Sequence, residues 1–379
     1  MSVQRTITTA WLCIVCLGLS LQARASVHDF RPLDSAIEKA VRDSVFPGAG
    51  IAVICRDQVV YRKAFGRMTY DGASRPVDTE TVYDLASLTK AVATTSIIMQ
   101  LAERDSLSLG APVCRYLPDF ARNGKEKVTI ENLLRHNSGL RAHTWFAKSC
   151  RTPDEVFTAI YNDTLTNAPN TTTVYSDLGF ILLGRIIETV TGKSLASNFH
   201  ERFAVPLGMN TTMFNPAQSL IWHIAPVEKD SDWPLSTPRP LVHDQNAALL
   251  GGAAGHAGLY STTGDLVRFA RMIMNGGKLD NKVYVQESTI RKFLSHPEGL
   301  RALGWDVRSP GGSSSAGTLF STASYGHLGY TGTSIWIDPT RNLAVIFLCN
   351  RVYPTSENIK IRKFRPLLHD TVVRCLGLQ

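Results

Sequence analysis

The chain is 379 residues long, 44% hydrophobic and 19% charged, with a formal net charge of +8. That length exceeds one compact core of average size and predicts one large or two intimate domains, and the composition excludes a disordered protein. The positive balance is neither gathered into a Lys/Arg run nor interleaved with aromatics, so it reads as solvation and no nucleic-acid partner is expected.

Arg5 precedes an apolar run from Ala10 to Leu21, and Ala23-Arg24-Ala25 fits a small-x-small cleavage site. This predicts a signal peptide over residues 1–25, cut after Ala25, and a mature protein that is periplasmic or secreted. The run is too short to span a bilayer and no other stretch reaches that length, so no transmembrane segment is expected after cleavage. Cys55, Cys114, Cys150, Cys349 and Cys375 remain. An odd number cannot pair completely within one chain. Cys55 and Cys349 lie in strand-like runs where one bridge would fit, and buried free thiols are the alternative.

Residues 33–45 show helical spacing, and Pro47-Gly48 then breaks the chain. GAGIAVICRDQVVYRKAFG follows, two strand-like runs around Arg56-Asp57-Gln58 that predict a hairpin. From Ser87 to about Thr263 the patterns are mainly helical: an apolar helix to about Arg104, a short one from Ile130 to His136, and one from Ser176 to Val190. The last places Phe180, Leu183, Ile187 and Val190 on one face, with Gly192 just past its end. Strand signals return at LGWDV near 303, TSIWID at 333–338 and NLAVIFLCN at 342–350, with a turn at Asp338-Pro339. A closing amphipathic helix runs from about Phe364 to Leu376, with Pro366 placed in its first turn. RSPGGSSSAGT at 308–318 is a Gly/Ser-rich loop. Strands at both ends imply one sheet built from residues 26–86 and 264–379, with residues 87–263 inserted as a mainly helical domain.

YDLASLTKAVATT, Tyr83 to Thr95, places one serine and one lysine three apart in an otherwise apolar, small-residue run. On a helix those two side chains share a face one turn apart. A serine is a poor nucleophile until a neighbour takes its proton, and a lysine in a dry setting can be neutral enough to do so. Ser87 also falls in the first turn, where unpaired N–H groups and the helix dipole favour developing negative charge.

Two further motifs follow in order: Tyr175-Ser176-Asp177 at a helix start, and HLGYTGTSIWIDP, His327 to Pro339, opening a strand. Ser-x-x-Lys, then Tyr-x-Asp, then His-x-Gly resembles the penicillin-recognising serine hydrolases, the group of class C β-lactamases, D,D-peptidases, D-aminopeptidases and related esterases. FPGAGIAVI, LLRHNSGL, YSDLGFILLG, PLGM and GGAAGHAGLYSTTGDLVRFA extend the likeness over most of the chain. The resemblance implies an α+β fold, an antiparallel sheet flanked by helices with the helical domain inserted. It also implies catalysis by Ser87, Lys90, Tyr175 and His327 without a cofactor or metal. Ser87 forms the acyl-enzyme, Lys90 and Tyr175 share the general-base work, and the N–H groups of Ser87 and Tyr330 hold the oxyanion. Asp177, Gly329 and Arg351 are the expected substrate contacts, the substrate being a small molecule or peptide.

Departures bear on that substrate. Asp177 stands where β-lactamases usually carry asparagine, and an ionised carboxylate cannot donate. His327 replaces a frequent lysine and is only partly charged near neutral pH. Leu328 removes a hydroxyl. An efficient β-lactamase is therefore disfavoured, and a D,D-carboxypeptidase-like peptidase on D-amino-acid peptides fits better, with an esterase or weak β-lactamase of the same fold as the alternative. A non-catalytic penicillin-binding sensor or scaffold is the reading from another class. NRVYPT at 350–355 looks most like the D-alanyl-D-alanine carboxypeptidases of the group, and Arg351 would supply a carboxylate contact. His136 and His256 read as packing residues, and His243-Asp244 as a pair near the cleft. Thr191-Gly192-Lys193-Ser194 imitates a phosphate loop but reads as a helix stop, and His200-Glu201 lacks the second histidine of a zinc site.

Overall fold

The computed structural model describes residues 28–228, 241–297, 301–309, 311 and 314–379. The expected signal peptide and its cleavage site lie outside these residues, as does part of the Gly/Ser-rich loop. The strands are β1 (Gly48–Cys55), β2 (Gln58–Gly66), β3 (Tyr83–Asp84), β4 (Met213–Phe214), β5 (Leu259–Ser261), β6 (Lys278–Leu279), β7 (Lys282–Val283), β8 (Asp306–Val307), β9 (Tyr325–Leu328), β10 (Ser334–Asp338) and β11 (Leu343–Cys349). The helices are α1 (Arg31–Arg42), α2 (Ser96–Glu103), α3 (Ile130–Arg135), α4 (Pro153–Asn162), α5 (Asp177–Thr191), α6 (Leu195–Phe199), α7 (Val205–Leu207), α8 (Gln245–Leu249), α9 (Thr263–Met274), α10 (Glu287–Leu294) and α11 (Ile361–Cys375).

The main sheet runs β2-β1-β11-β10-β9-β8 and joins the two ends of the chain. β1 and β11 pair antiparallel, from Ala49 opposite Cys349 to Cys55 opposite Leu343. The continuous apolar runs of these strands reflect burial on both faces, since successive side chains point to opposite sides. Ile51, Val53, Val345 and Phe347 face a core shared with α1 and α11. Ala52, Ile54, Ile346 and Leu348 face the core of the helical body. The register puts Cys55 and Cys349 at opposite ends of one strand pair, and both are free thiols. Of the two readings, the buried free thiols hold and the bridge does not.

The hairpin between β1 and β2 turns on Arg56 and Asp57, both at positive φ (51° and 63°), as a two-residue turn matched to strand twist requires. Asp57 also accepts from the Arg271 guanidinium at 2.8 and 2.9 Å, tying the turn to α9. Helix α11 starts earlier than the sequence pattern suggests, at Ile361, and carries Pro366 inside it rather than in the first turn. Buried contacts of Phe364, Leu368 and Val372 against the sheet outweigh the lost main-chain bond. Among the described residues no helix is long and apolar enough to cross a membrane.

Candidate active site

The site lies where the helical body meets the end of the main sheet. Strand β3 delivers the chain to Ala86, which is left-handed (φ 46°) although not glycine, a costly conformation that a packed surrounding must hold. Asp84 supplies part of that hold. Its Oδ1 accepts from the Ala86 N–H at 2.8 Å and its Oδ2 from the His243 N–H at 2.7 Å. Burial raises the Asp84 carboxyl above its ordinary value. A helix then starts, and its turn from Lys90 to Thr95 is widened to π geometry, a form that recurs at functional sites.

Lys90 is fully buried. Its Nζ donates to Ser87 Oγ at 2.9 Å and to the His256 carbonyl at 3.2 Å, and it pairs with Asp177 Oδ1 at 2.7 Å. Burial opposes the ammonium, but Asp177 and the Tyr175 phenol outweigh it and raise the lysine above its ordinary value. The contact with Asp177 thus favours the ammonium form of Lys90 over the neutral amine considered from sequence. The missing consideration was its partner, brought from the start of α5. Asp177 is held well below the carboxylate range: burial would raise it, and Lys90 and His143 overcome that. The second oxygen of Asp177 lies 3.3 Å from His143 Nδ1. Each oxygen thus has a partner, and Asp177 holds the lysine in place.

Tyr175 immediately precedes Ser176, whose hydroxyl caps α5 by accepting from the Gly179 N–H. The phenol ring stacks on His136 at 4.5 Å and lies 6.0 Å from His327, with Lys90 Nζ 4.9 Å and the Arg301 guanidinium 5.3 Å from its centroid. His136 sits left-handed (φ 58°) at the end of α3, and its Nδ1 accepts from the Ser176 N–H at 2.9 Å. Burial, followed by the Arg301 and Lys90 charges, pushes the His136 imidazole well below its ordinary range. His327 is likewise pulled down to about 3, by burial and then by Lys90 and Arg301. It is a buried neutral imidazole whose Nδ1 is 2.9 Å from the Leu328 carbonyl, so it cannot be the partly charged counter-ion expected from sequence.

The turn from Gly329 to Thr333 docks directly on the chain before the serine. Thr331 donates to the Asp84 carbonyl at 2.7 Å and Thr333 to the Leu85 carbonyl at 3.0 Å. Gly329 is required there, since a Cβ would come within 2.4 Å of the Leu85 carbonyl oxygen. Among the described residues no protein acceptor takes the main-chain N–H of Ser87 or of Tyr330. Arg351 lies beneath the Tyr330 ring, 4.4 Å from its centroid, and donates to the carbonyls of Tyr330, Ser356 and Asn358. It braces this turn, so the expected contact with a substrate carboxylate does not match its placement.

Sequence reasoning missed three contributors. Asp84 had a local signal, three residues before the serine. His143 and Arg301 had none, because only the tertiary fold brings them to Asp177 and Tyr175. His256 contributes its carbonyl to Lys90 and pairs through Nε2 with Asp244 at 2.9 Å. His243 stacks on Tyr330 at 5.6 Å. A separate cavity of about 750 Å³, lined by Arg104, Lys193, Arg202 and Lys282 among others, holds none of these groups. The Ser87 hydroxyl and the charged side chains of Lys90 and Asp177 converge instead at the Ser87 cleft.

A serine hydroxyl at a helix start, in contact with a buried ammonium and beside a phenol, is equipped for acyl transfer, and together with this fold it defines a serine hydrolase. The chain belongs to the beta-lactamase family, whose model, described as Beta-lactamase, matches residues 33–368. Two similar curated proteins are named "Putative D-alanyl-D-alanine carboxypeptidase". The one from Escherichia coli (strain K12) is 32% identical over 365 residues, covering 87% of this chain and 84% of that protein. The one from Escherichia coli O157:H7 is 30% identical over 371 residues, with the same shares covered. Among solved structures, a penicillin-binding protein homologue from Caulobacter crescentus aligns with a TM-score of 0.72 at 20% identity, covering 91% of this chain and 97% of that one. A class C beta lactamase from Rhodobacter sphaeroides aligns with a TM-score of 0.70 at 19% identity, covering 91% and 99%. At such identities these structures establish the shared fold alone.

Proposed function

We propose that the protein is a cell-envelope hydrolase of D,D-carboxypeptidase type, which cleaves D-amino-acid peptides through an acyl-Ser87 intermediate. The observation that carries this reading is the 2.9 Å contact from buried, charged Lys90 to Ser87 Oγ beside the Tyr175 phenol. The names of the curated relatives support the substrate class, and the leader-like residues 1–25 support action outside the cytoplasm.

In this mechanism Ser87 Oγ bonds to the scissile carbonyl carbon and its proton passes to the Tyr175 oxygen as general base. Lys90, already charged, stabilises the negative charge that develops on Ser87 Oγ instead of taking the proton. The N–H groups of Ser87 and Tyr330 hold the oxyanion. The C–N bond then breaks as Tyr175 returns the proton to the departing amine, and water cleaves the acyl-serine ester. One observation favours esterase activity as a second reading. With His327 neutral and Arg351 spent on carbonyls, neither expected residue offers a cation to a substrate's terminal carboxylate.

Intact-mass labelling with a fluorescent penicillin tests the intermediate: one adduct on Ser87 is expected, and none in Ser87→Ala. No adduct at millimolar drug would end the proposal. Turnover of D-Ala-D-Ala peptides, p-nitrophenyl acetate and nitrocefin then ranks the substrates. Unchanged turnover in Ser87→Ala would favour the binding-protein reading.

A further inference from the structure

We propose that Arg365, on α11 and outside the cleft, is a positioning residue: it holds the Gly329–Tyr330 peptide so that the Tyr330 N–H meets the oxyanion. The inference rests on the acyl-serine reading above, because it assigns a role to a group that stands behind a donor in that reading.

Arg365 is 6% exposed. Its Nη2 donates to the Gly329 carbonyl and to the Thr333 carbonyl, each at 3.0 Å. Those are the two carbonyls that close the turn: the Gly332 N–H donates to the first at 3.1 Å, and the Gly329 N–H to the second at 2.8 Å. Burial pulls the guanidinium down to about 10, still far above neutral pH, so it remains charged. Among the described residues no carboxylate pairs with it. A buried charge without a counter-ion costs stability that an apolar side chain in the same place would not. What this charge meets instead is the turn.

The direction of the donor follows from the peptide itself. A trans peptide is planar, and its C=O and N–H point opposite ways. The Gly329 carbonyl and the Tyr330 N–H belong to one such unit. A carbonyl drawn back to Arg365 therefore sends the N–H forward, away from α11, where among the described residues no protein acceptor takes it. A charge-assisted bond to the carbonyl also polarises the peptide and strengthens its N–H as a donor.

Two other side chains reach the rear of the turn. Arg351 Nε donates to the Tyr330 carbonyl at 2.8 Å, and Cys349 Sγ to the Gly332 carbonyl at 3.4 Å. Both carbonyls belong to later peptides. Of the three, Arg365 alone engages the peptide that carries the Tyr330 N–H.

The test labels the protein with ¹³C at glycine carbonyls and ¹⁵N in tyrosine. Gly-Tyr occurs once in the chain, at 329–330, so one carbonyl–amide NMR cross-peak reports this peptide. In Arg365→Met the cross-peak moves upfield in both dimensions, as loss of the bond to the carbonyl requires. The limiting acylation rate with p-nitrophenyl acetate falls about tenfold or more, while the half-saturating concentration holds. Arg365→Lys, charged but shorter in reach, lies between parent and Arg365→Met in both readouts. A merely structural arginine would lower the melting temperature and leave the cross-peak in place. A folded Arg365→Met with the parent cross-peak overturns the proposal, and so does a moved cross-peak with an unchanged acylation rate. Should Arg365→Met not fold, Arg365→Lys decides: a partial shift supports the proposal and none overturns it. Failure of the parent to acylate at Ser87 would fell the acyl-serine reading, while the cross-peak still decides whether Arg365 holds the peptide.

Discussion

Lys90 and Asp177 are held together in a setting where neither could stand alone. Removing one partner of a buried ion pair leaves the other desolvated and uncompensated, at a cost of about 3 kcal/mol or more. Asp177→Ala is therefore expected to destabilise by about 3 kcal/mol, read from the urea midpoint, while Asp177→Asn costs less because it keeps a hydrogen-bond acceptor for the ammonium. The Asp177 carboxyl lies lower in the folded chain than in the unfolded one. Its contribution is thus complete above the ordinary carboxylate value near 4 and is lost progressively as the pH falls below it toward the much lower folded-state value. Acylation by penicillin should fall with the pair, since an unpaired Lys90 loses the charge that steadies the Ser87 alkoxide. At this scale the sequence showed only what is local. Ser87 and Lys90 are legible because three residues make one helical turn, whereas the charge on Lys90 depends on a carboxylate 87 positions away in the chain.

The turn joining β9 to β10 is the element on which the geometry rests. Its two threonines bond to the carbonyls of Asp84 and Leu85, so it is welded to the chain that presents the nucleophile. Gly329→Ala forces those segments apart, and the N–H of Tyr330 moves with the turn. Loss of one oxyanion donor lowers rates by about 10² to 10³, so an acylation rate reduced at least tenfold, with Lys90 and Ser87 untouched, is expected in stopped-flow labelling. The strands flanking this turn were readable from their unbroken apolar runs, which two-sided burial demands. The widened turn after Lys90 was not, because ordinary and π turns share the same apolar spacing. Pro366 was placed too near its helix start for a similar reason: propensity marks a proline as a beginning, and packing of α11 on the sheet overrode it.

Across the whole molecule, buried histidines make stability depend on pH. His327 and His369 are pulled down to about 3 and about 4 by burial, and His136 lies well below its ordinary range. In the unfolded chain all three bind protons from about pH 6.5 downward, while in the folded chain they do not. Stability is therefore full above that value and falls as the pH drops, by up to about 1.4 kcal/mol per unit for each histidine. Thermal melts between pH 7 and 5 should show this slope, and His369→Phe should reduce it. The raised imidazole of His143, bonded to Asp177, and the raised carboxyls of Asp84 and Asp265 oppose the trend.

The pairing of Ala49 with Cys349 has a consequence for how the enzyme comes into being. The central seam of the sheet closes between residues 300 positions apart, and contacts so distant must wait for nearly the whole chain. The serine and lysine are synthesised early, but the turn that completes their cleft belongs to the last fifth of the protein. A polypeptide cut short at residue 320 would thus carry its nucleophile and still be inert, and a ribosome-bound nascent chain should take no penicillin until the C-terminal strands have emerged.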